Sequence, residues 1–191
     1  PLHTGLTMRL SCLLLLAAWS QLCAQTFDYR VLATNRTSTM EKEMNDAAEA
    51  GFVFSSVMGG ETGGGGKEVV TVMAKSADGS TGKRRYKLLA TSRTGTMQKE
   101  LQEAGAEGFS YCGQTVFQSA FGGREVAVIL EKNLDGAQQH IEYLLLATKR
   151  TSTMQKELQQ AGENGFRMLG MVVGKTAIGG DEVISILQRV K

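Results

Sequence analysis

The chain carries the same short block of residues three times at a fixed spacing. "LATNRTSTMEKE" begins at Leu32, "LATSRTGTMQKE" at Leu89 and "LATKRTSTMQKE" at Leu146, so the period is 57 residues. A fixed period is typical of a repeat architecture in which each copy is one supersecondary unit. The equal spacing also means that the segments between the copies have kept their length, so we expect spatially constrained linkers. The chain is therefore predicted to fold as three copies of one unit.

Each copy opens with residues typical of a β-strand, namely "FDYRVLAT", "RYKLLAT" or "EYLLLAT". A polar turn follows, and then a helical pattern. Ser38 with Glu41, and Ser152 with Gln155, fit the capping box, in which two side chains satisfy free amides at the start of a helix. Gly95 in the second copy is a weaker cap. We therefore expect the three helices to begin at these residues.

Apolar residues at helical spacing predict one buried face on each helix. A glycine follows each pattern, at the position where a left-handed residue usually ends a helix. The buried stripes are Met40, Met44, Ala47 and Ala48 in the first copy, Met97, Leu101 and Ala104 in the second, and Met154, Leu158 and Ala161 in the third, and the terminating glycines are Gly51, Gly108 and Gly165.

The second half of each copy has the pattern of two strands joined by a glycine-rich hairpin; in the first copy these are "FVFSSVM", "GGETGGGGKE" and "VVTVMAK". The predicted fold class is α+β, with three tandem β-α-β-β repeats of 57-residue period, each a three-stranded sheet with one helix on a face. One such unit buries too little surface to be stable alone, so we expect a shared core. The predicted order is repeat 1 at 25–75, a linker at 76–85, repeat 2 at 86–132, a linker at 133–142 and repeat 3 at 143–191.

The opening tyrosine, the helix end "LQEAGAEGF", the glycine hairpin and a closing strand that ends in lysine resemble DUF4177, a small domain of unknown function. That family typically ends its helix with "L-N-x-x-G-x-x-G-W". Phe109 stands here in place of the tryptophan, and "MNDAAEAGF" in repeat 1 lacks one of the glycines. The resemblance spans all three copies and implies a compact βαββ module. It implies no activity, because none is assigned to the family.

Residues 1–24 are predicted to be an upstream extension followed by a secretory signal peptide. A basic start and the apolar run "LSCLLLLAAW" precede a cleavage site after Ala24. The run has about 10 residues, whereas a transmembrane helix needs roughly 20. We therefore expect no transmembrane segment and a secreted chain, extracellular or periplasmic, that begins near Gln25. A lipid anchor on Cys23 is the alternative.

Charge and cysteine content narrow the class of partner. Removal of residues 1–24 takes away Arg9 and no acidic residue, which leaves 20 basic residues against 19 acidic ones. A net charge near zero without a basic block argues against nucleic acid as a partner.

Cys112 would be the one remaining cysteine, so no internal disulfide can form. We expect it to be a buried small hydrophobic residue, with a reactive thiol as the alternative.

The sequence lacks the residue patterns of common catalytic and cofactor sites. His140 would be the one histidine of the mature chain, which argues against Ser-His-Asp or Cys-His catalysis and against a multi-histidine metal site. "GGETGGGGK" departs from the phosphate-binding loop, because Glu61 replaces a glycine and Glu68 follows Lys67 where serine or threonine is required. We therefore predict a protein without enzymatic activity, catalytic residues, metal ion or cofactor.

An arginine–threonine pair before each predicted helix is the candidate site that the sequence offers. Free amides, the helix dipole, a hydroxyl and a guanidinium could together bind an anionic small molecule or an acidic glycan. Alternatively, the arginine pairs with an acid such as Glu43, or lies at an interface between repeats or subunits. The candidate residues are Arg36, Thr37, Arg93, Thr94, Arg150 and Thr151.

The repeat pattern favours a secreted structural protein that assembles with copies of itself into a filament, sheath or ring. A terminal strand, "TFDYRVLAT" or "VISILQRVK", could pair with a neighbouring subunit by strand addition. A low net charge removes one barrier to such association. The alternative is a monomeric secreted module that binds an anionic ligand or glycan through the arginine turns. An enzyme is the third hypothesis, without a chemistry that these residues suggest.

Overall fold

The three-dimensional structure is a computed structural model that describes residues 26–63, 66–77, 79, 82–118, 123–175 and 180–191. The predicted signal peptide at 1–24 lies outside the described residues. Within them, the chain forms three helices and nine strands in three β-α-β-β repeats. The predicted α+β repeat fold is therefore confirmed.

Each repeat consists of a strand, a helix of 13 residues and two further strands. The helices have one length because the repeats match residue for residue. The elements are β1 (Phe27–Thr34), α1 (Thr37–Glu49), β2 (Val53–Thr62) and β3 (Gly66–Ser76) in repeat 1, β4 (Arg84–Thr91), α2 (Thr94–Ala106), β5 (Ser110–Gln118) and β6 (Arg124–Asn133) in repeat 2, and β7 (Ile141–Thr148), α3 (Thr151–Glu163), β8 (Arg167–Lys175) and β9 (Asp181–Val190) in repeat 3.

The last strand of each repeat lies in the centre of an antiparallel sheet. The strand orders are β1-β3-β2, β4-β6-β5 and β7-β9-β8, so the first strand of every repeat is an edge strand. The prediction that "VISILQRVK" is a free edge is wrong, because β9 is hydrogen-bonded to β7 on one side and to β8 on the other. Of the two terminal strands, β1 alone retains an edge.

Glycine ends each helix as the sequence predicts. Gly51, Gly108 and Gly165 have φ angles of 87°, 88° and 80°, in the left-handed region that glycine adopts without steric cost. In repeat 1 the Phe52 N–H donates to the Ala47 carbonyl at 3.0 Å, which is the bond of a Schellman motif. The chain therefore turns sharply from helix to strand at the same place in every repeat.

The described residues form two hydrophobic core clusters, and each cluster spans two repeats. We call the face of a sheet that carries its own helix the helix side, and the opposite face the back. The first cluster joins the helix side of repeat 1 to the back of repeat 2, and the second joins the helix side of repeat 2 to the back of repeat 3. Each of the first two helices therefore lies between its own sheet and the next sheet, and the repeats form a continuous stack. Large buried members include Met40, Met44, Met73, Tyr86 and Ile129 in the first cluster, and Met97, Leu101, Leu130, Tyr143 and Ile186 in the second.

Candidate functional site

The N-caps of the helices lie two residues before the predicted caps Ser38, Gly95 and Ser152. Thr37, Thr94 and Thr151 are the first helical residues, and the arginine before each occupies the N-cap position with an extended backbone. No side chain forms a hydrogen bond at these caps, so the predicted capping boxes are wrong. In the first two repeats Glu41 and Gln98, three residues after the predicted caps, accept main-chain N–H groups of the neighbouring repeat.

The three arginines of these turns are exposed, and none forms an ion pair with a described residue. Glu43 is therefore not the partner of Arg36. In repeat 1 the Arg36 N–H donates to the Thr34 hydroxyl at 3.1 Å, and the corresponding bond recurs in repeat 2. The turn at Arg93 lines a cavity of about 10 Å³, which is room for about one water molecule. The turns are thus surface features, and at Arg93 the cavity is too small for an anionic ligand.

Cys112 is partly buried in β5 against the first cluster. Burial, and then the neighbouring Glu131 carboxylate, raise the pKa of its thiol well above the ordinary value. A thiol that stays protonated is a poor nucleophile, which agrees with the predicted structural role. His140 is exposed, and its carbonyl accepts a hydrogen bond from the Lys191 N–H at 3.0 Å.

Within the described residues, no three histidine, cysteine, aspartate or glutamate side chains come together in a group that could hold a metal ion. None of the described helices has the length and apolar character needed to cross a membrane.

A groove of about 620 Å³ between α1 and β4 is lined by side chains of both charges. Among them are Lys42 and Asp46, whose charged atoms are 3.7 Å apart. Mixed charges of this kind do not select a ligand of one sign.

The contact between repeats 1 and 2 is closed by helix side chains that bind the main chain of a strand. The Tyr86 N–H donates to Asn45 Oδ1 at 2.9 Å, and Asn45 Nδ2 donates to the Tyr86 carbonyl at 3.0 Å. The Leu88 N–H donates to Glu41 Oε2 at 2.9 Å. Unpaired main-chain groups on an edge strand can bind another chain. On β4 these main-chain groups are hydrogen-bonded to the side chains of Asn45 and Glu41.

The same contact recurs between repeats 2 and 3. Gln98 and Gln102 of α2 donate through Nε2 to the Tyr143 carbonyl at 3.0 and 2.7 Å. The Leu145 N–H donates to Gln98 Oε1 at 2.7 Å. The side chains differ from those of the first junction, but they bind equivalent strand residues. The junction is therefore a property of the repeat and not of one local sequence.

The tyrosine that opens each inner repeat is buried at its junction. Tyr86 is 2% exposed and Tyr143 is 0% exposed. The Phe54 N–H donates to the Tyr86 hydroxyl at 2.7 Å, and the Tyr143 hydroxyl donates to the Phe109 carbonyl at 2.9 Å. Burial raises the pKa of both hydroxyls well above their usual range. These tyrosines therefore cross the junction as neutral hydrogen-bonding groups.

A glycine inside α2 permits close approach of helix and strand. A Cβ atom at Gly105 would collide with the Ile141 carbonyl oxygen and lie 3.0 Å from the Tyr143 ring. Glycine inside a helix costs roughly 1 kcal/mol relative to alanine, so the junction explains its presence there. Gly162 holds the equivalent position in α3, where a Cβ atom would have no neighbour within 4 Å.

The stack leaves the back of its first sheet uncovered by any described residue. We call this surface, together with the free edge of β1, the strand face. Tyr29 is 61% exposed and Val31 is 65% exposed, although they are equivalent to Tyr86 and Leu88 at the first junction. Among the described strands, β1 pairs only with β3. The exposed large apolar residues of the strand face are Phe27, Tyr29, Val31 and Met58.

The opposite end of the stack leaves α3 uncovered by any described residue. We call α3 and the adjoining helix side of β8 the helix face. Ala161 is the one buried residue of α3. The predicted burial of Met154 and Leu158 is only partial, because none of the described sheets covers them. Gln155 and Gln159 are exposed and form no hydrogen bond with a described residue. The exposed large apolar residues of the helix face are Met168, Met171 and Val173.

The arginine turns, which the sequence predicts as the candidate site, do not include the residues that form the junctions. Polar side chains on an amphipathic helix usually face solvent, so their repetition was not informative by itself. A signal was nevertheless present in the acid or amide side chains at two fixed helical positions and in the helical glycines. These positions are Glu41, Gln98 and Gln155, then Asn45, Gln102 and Gln159, and finally Gly105 and Gly162.

No protein-family model, no curated protein and no solved structure matches the chain. The resemblance to DUF4177 therefore stays a prediction. The features that bear on function are the two end faces and the junctions that they resemble.

Proposed function

We propose that this chain is a secreted, non-catalytic repeat protein that assembles with copies of itself into an extracellular structural polymer, as a filament, sheath or ring. One observation carries the proposal. The ends of the stack expose the surfaces that the inner repeats bury, on the strand face and on the helix face.

Exposed apolar side chains are concentrated at the two ends. Four of the large hydrophobic residues that are exposed lie on the strand face and three lie on the helix face, whereas Leu134 and Val190 lie elsewhere. Clustered apolar surface on a folded protein marks an interaction site. Both faces therefore favour a protein partner over a small polar ligand.

Secretion and the lack of catalysis are supported by the sequence and by local chemistry. The signal-peptide pattern before Gln25 directs the chain out of the cytoplasm. The raised pKa of the Cys112 thiol and the exposed linker position of His140 do not suit nucleophilic catalysis. A near-neutral charge offers little repulsion to close packing of identical subunits.

The alternative is a monomeric module for an anionic ligand or glycan. It is favoured by the exposed Arg36, Arg93 and Arg150 side chains, which have no ion-pair partner among the described residues. Replacement of all three by alanine would abolish retention on a sulfated-glycan column under this alternative. Under the assembly proposal the same variant still polymerises.

The proposal is tested on residues 25–191, which include all described elements of the three sheets. Light scattering after size exclusion gives the mass of the particle, and negative-stain electron microscopy shows its shape. We expect regular polymers or closed rings. A particle of one-chain mass at every accessible concentration would contradict the proposal and favour the anion-binding module.

A further inference from the structure

We infer that the strand face of one copy binds the helix face of another, so that chains add head to tail and continue the internal stack. This inference rests on the proposed function and deepens it by naming the partner surface. Its basis is that the chain already contains the same junction twice, between repeats 1 and 2 and between repeats 2 and 3. The two end faces are the unpaired halves of a third junction.

The polar groups of the two faces are complementary. In the second junction, Gln98 and Gln102 bind the Tyr143 carbonyl, and Gln98 also accepts the Leu145 N–H. The helix face presents glutamine at both equivalent positions, Gln155 and Gln159. The strand face presents the main chain of Tyr29 and Val31, at the positions of Tyr143 and Leu145. The third junction therefore has the same donors and acceptors as the second.

The tyrosine of the strand face completes a second set of contacts. Tyr143 reaches across its junction to the carbonyl of Phe109, the residue that follows a helix-ending glycine. Tyr29 would reach the carbonyl of Phe166 in the same way, because Phe166 also follows a helix-ending glycine. This contact buries a side chain that is 61% exposed in the single chain.

Gly162 has no described residue beside it that would require glycine, and a second copy would supply one. Glycine is unfavourable inside a helix, and the space beside Gly162 is open. Gly105, at the equivalent position, has the Ile141 main chain against it. In the third junction the main chain at Phe27, equivalent to Ile141, would lie against Gly162.

The apolar surfaces also correspond. Three exposed apolar residues of β8 are equivalent to residues of β5 at the second junction. Met168 corresponds to Tyr111, Met171 to Gln114 and Val173 to Val116. Met58 on the strand face occupies the position of Val172, which packs against the second cluster. Each end thus offers partly apolar surface where the inner repeats pack together.

The two faces differ in kind, so this contact is heterologous. A heterologous contact cannot close a two-fold dimer, and it gives an open polymer or a ring according to the rotation per copy. In this contact the main-chain groups at the edge of β1 bind Gln155 and Gln159 of the neighbouring copy, and no strand is added to the sheet. The hypothesis that a terminal strand pairs with a strand of the neighbour is replaced by this geometry.

Two substitutions block one face each. Val31→Glu places a charge on the strand face at an exposed site. Gly162→Leu fills the open space on the helix face, at the position where Gly105 of the second junction has the Ile141 main chain against it. We expect each to raise the concentration needed for assembly by at least about 100-fold, because central interface positions dominate binding energy. Gly95→Leu is the matched control, since Gly95 also lies in a helix with open space around it, away from both faces. That control should polymerise like the natural chain.

Mixing the two blocked variants tests whether the contact is heterologous. Each variant retains the face that the other has lost, so an equimolar mixture should form a discrete one-to-one dimer by light scattering, while each alone stays monomeric. Circular dichroism checks that both fold, and Tyr29→Glu replaces Val31→Glu if that variant unfolds.

The outcomes separate this inference from the proposed function. A natural chain that polymerises, with polymers that survive both substitutions, overturns the head-to-tail junction and leaves self-assembly standing. Blocked variants that stay monomeric after mixing also overturn it. A natural chain that never assembles overturns both, whereas the one-to-one dimer supports both.

Discussion

At the residue scale, the three equivalent tyrosines show how position in the stack changes the role of one side chain. Tyr86 and Tyr143 are buried and hydrogen-bonded across a junction, whereas Tyr29 is exposed. The chemistry of the side chain is the same in each case. The presence of a preceding repeat decides whether it stabilises the fold.

Tyr143→Phe is expected to lower the free energy of unfolding by about 1–2 kcal/mol, because the buried Phe109 carbonyl loses its donor. Tyr29→Phe is the matched control and should change it by less than about 0.5 kcal/mol. Urea unfolding under conditions where the chain is monomeric measures both. Equal losses in the two variants would contradict the assigned hydrogen bond.

Alkaline pH is expected to destabilise the fold through the buried tyrosines. Their ordinary pKa is 10.0, and burial raises the pKa of Tyr86 and Tyr143 well above it and that of Tyr111 to about 12. Above pH 10 the unfolded chain releases protons that the folded chain retains, so the stability that is present below pH 10 declines as pH rises towards the folded pKa values. Melting temperature and tyrosinate absorbance should change together above pH 10. A melting temperature independent of pH in this range would argue against the burial of these hydroxyls.

At the element scale, the first two helices cover their own sheets and also bind the first strand of the next repeat. A capping box would have used Glu41 within its own helix, but in the structure that carboxylate accepts the Leu88 N–H of the next repeat. The serine caps failed as a prediction because capping rules consider local groups only. The helix-ending glycines succeeded because a left-handed turn is a local backbone requirement.

Gln98→Ala and Gln155→Ala form a matched pair at equivalent helix positions. Gln98→Ala should lower the free energy of unfolding by about 1–2 kcal/mol, because the Leu145 N–H at the junction loses its acceptor. Gln155→Ala should change the monomer by less than about 0.5 kcal/mol, since Gln155 is exposed, but should weaken assembly. Thermal unfolding and light scattering measure the two effects. A comparable loss of monomer stability in Gln155→Ala would count against the difference between the inner and end helices.

At the scale of the whole molecule, no described repeat has a complete core of its own. Each cluster takes one side of a sheet and its helix from one repeat and the back of a sheet from the next. Repeat arrays of this kind draw their stability from contacts between neighbours. The same property leaves the two ends of the array incomplete.

The isolated repeat 2, residues 84–133, contains all four of its own elements but is expected to be unfolded, because both of its partner surfaces are removed. Circular dichroism of the fragment should lack the helix and strand signals of the whole chain. The whole chain is expected to unfold in one cooperative transition, because repeat 2 contributes to both clusters. A stably folded fragment would mean that the junctions contribute little.

The sequence by itself determined the repeat, its period, the order of its elements and the ends of its helices. Each of these depends on local chemistry, such as apolar periodicity, a glycine at a left-handed position or β-branched runs. Tertiary structure decided the strand order, the starts of the helices and the junctions. These depend on which surfaces meet, and residues such as Glu41 and Leu88, which are hydrogen-bonded at the first junction, are far apart in the chain. A polar helix residue has the same local pattern whether it faces water or the next strand, so only the folded chain distinguishes Gln98 from Gln155.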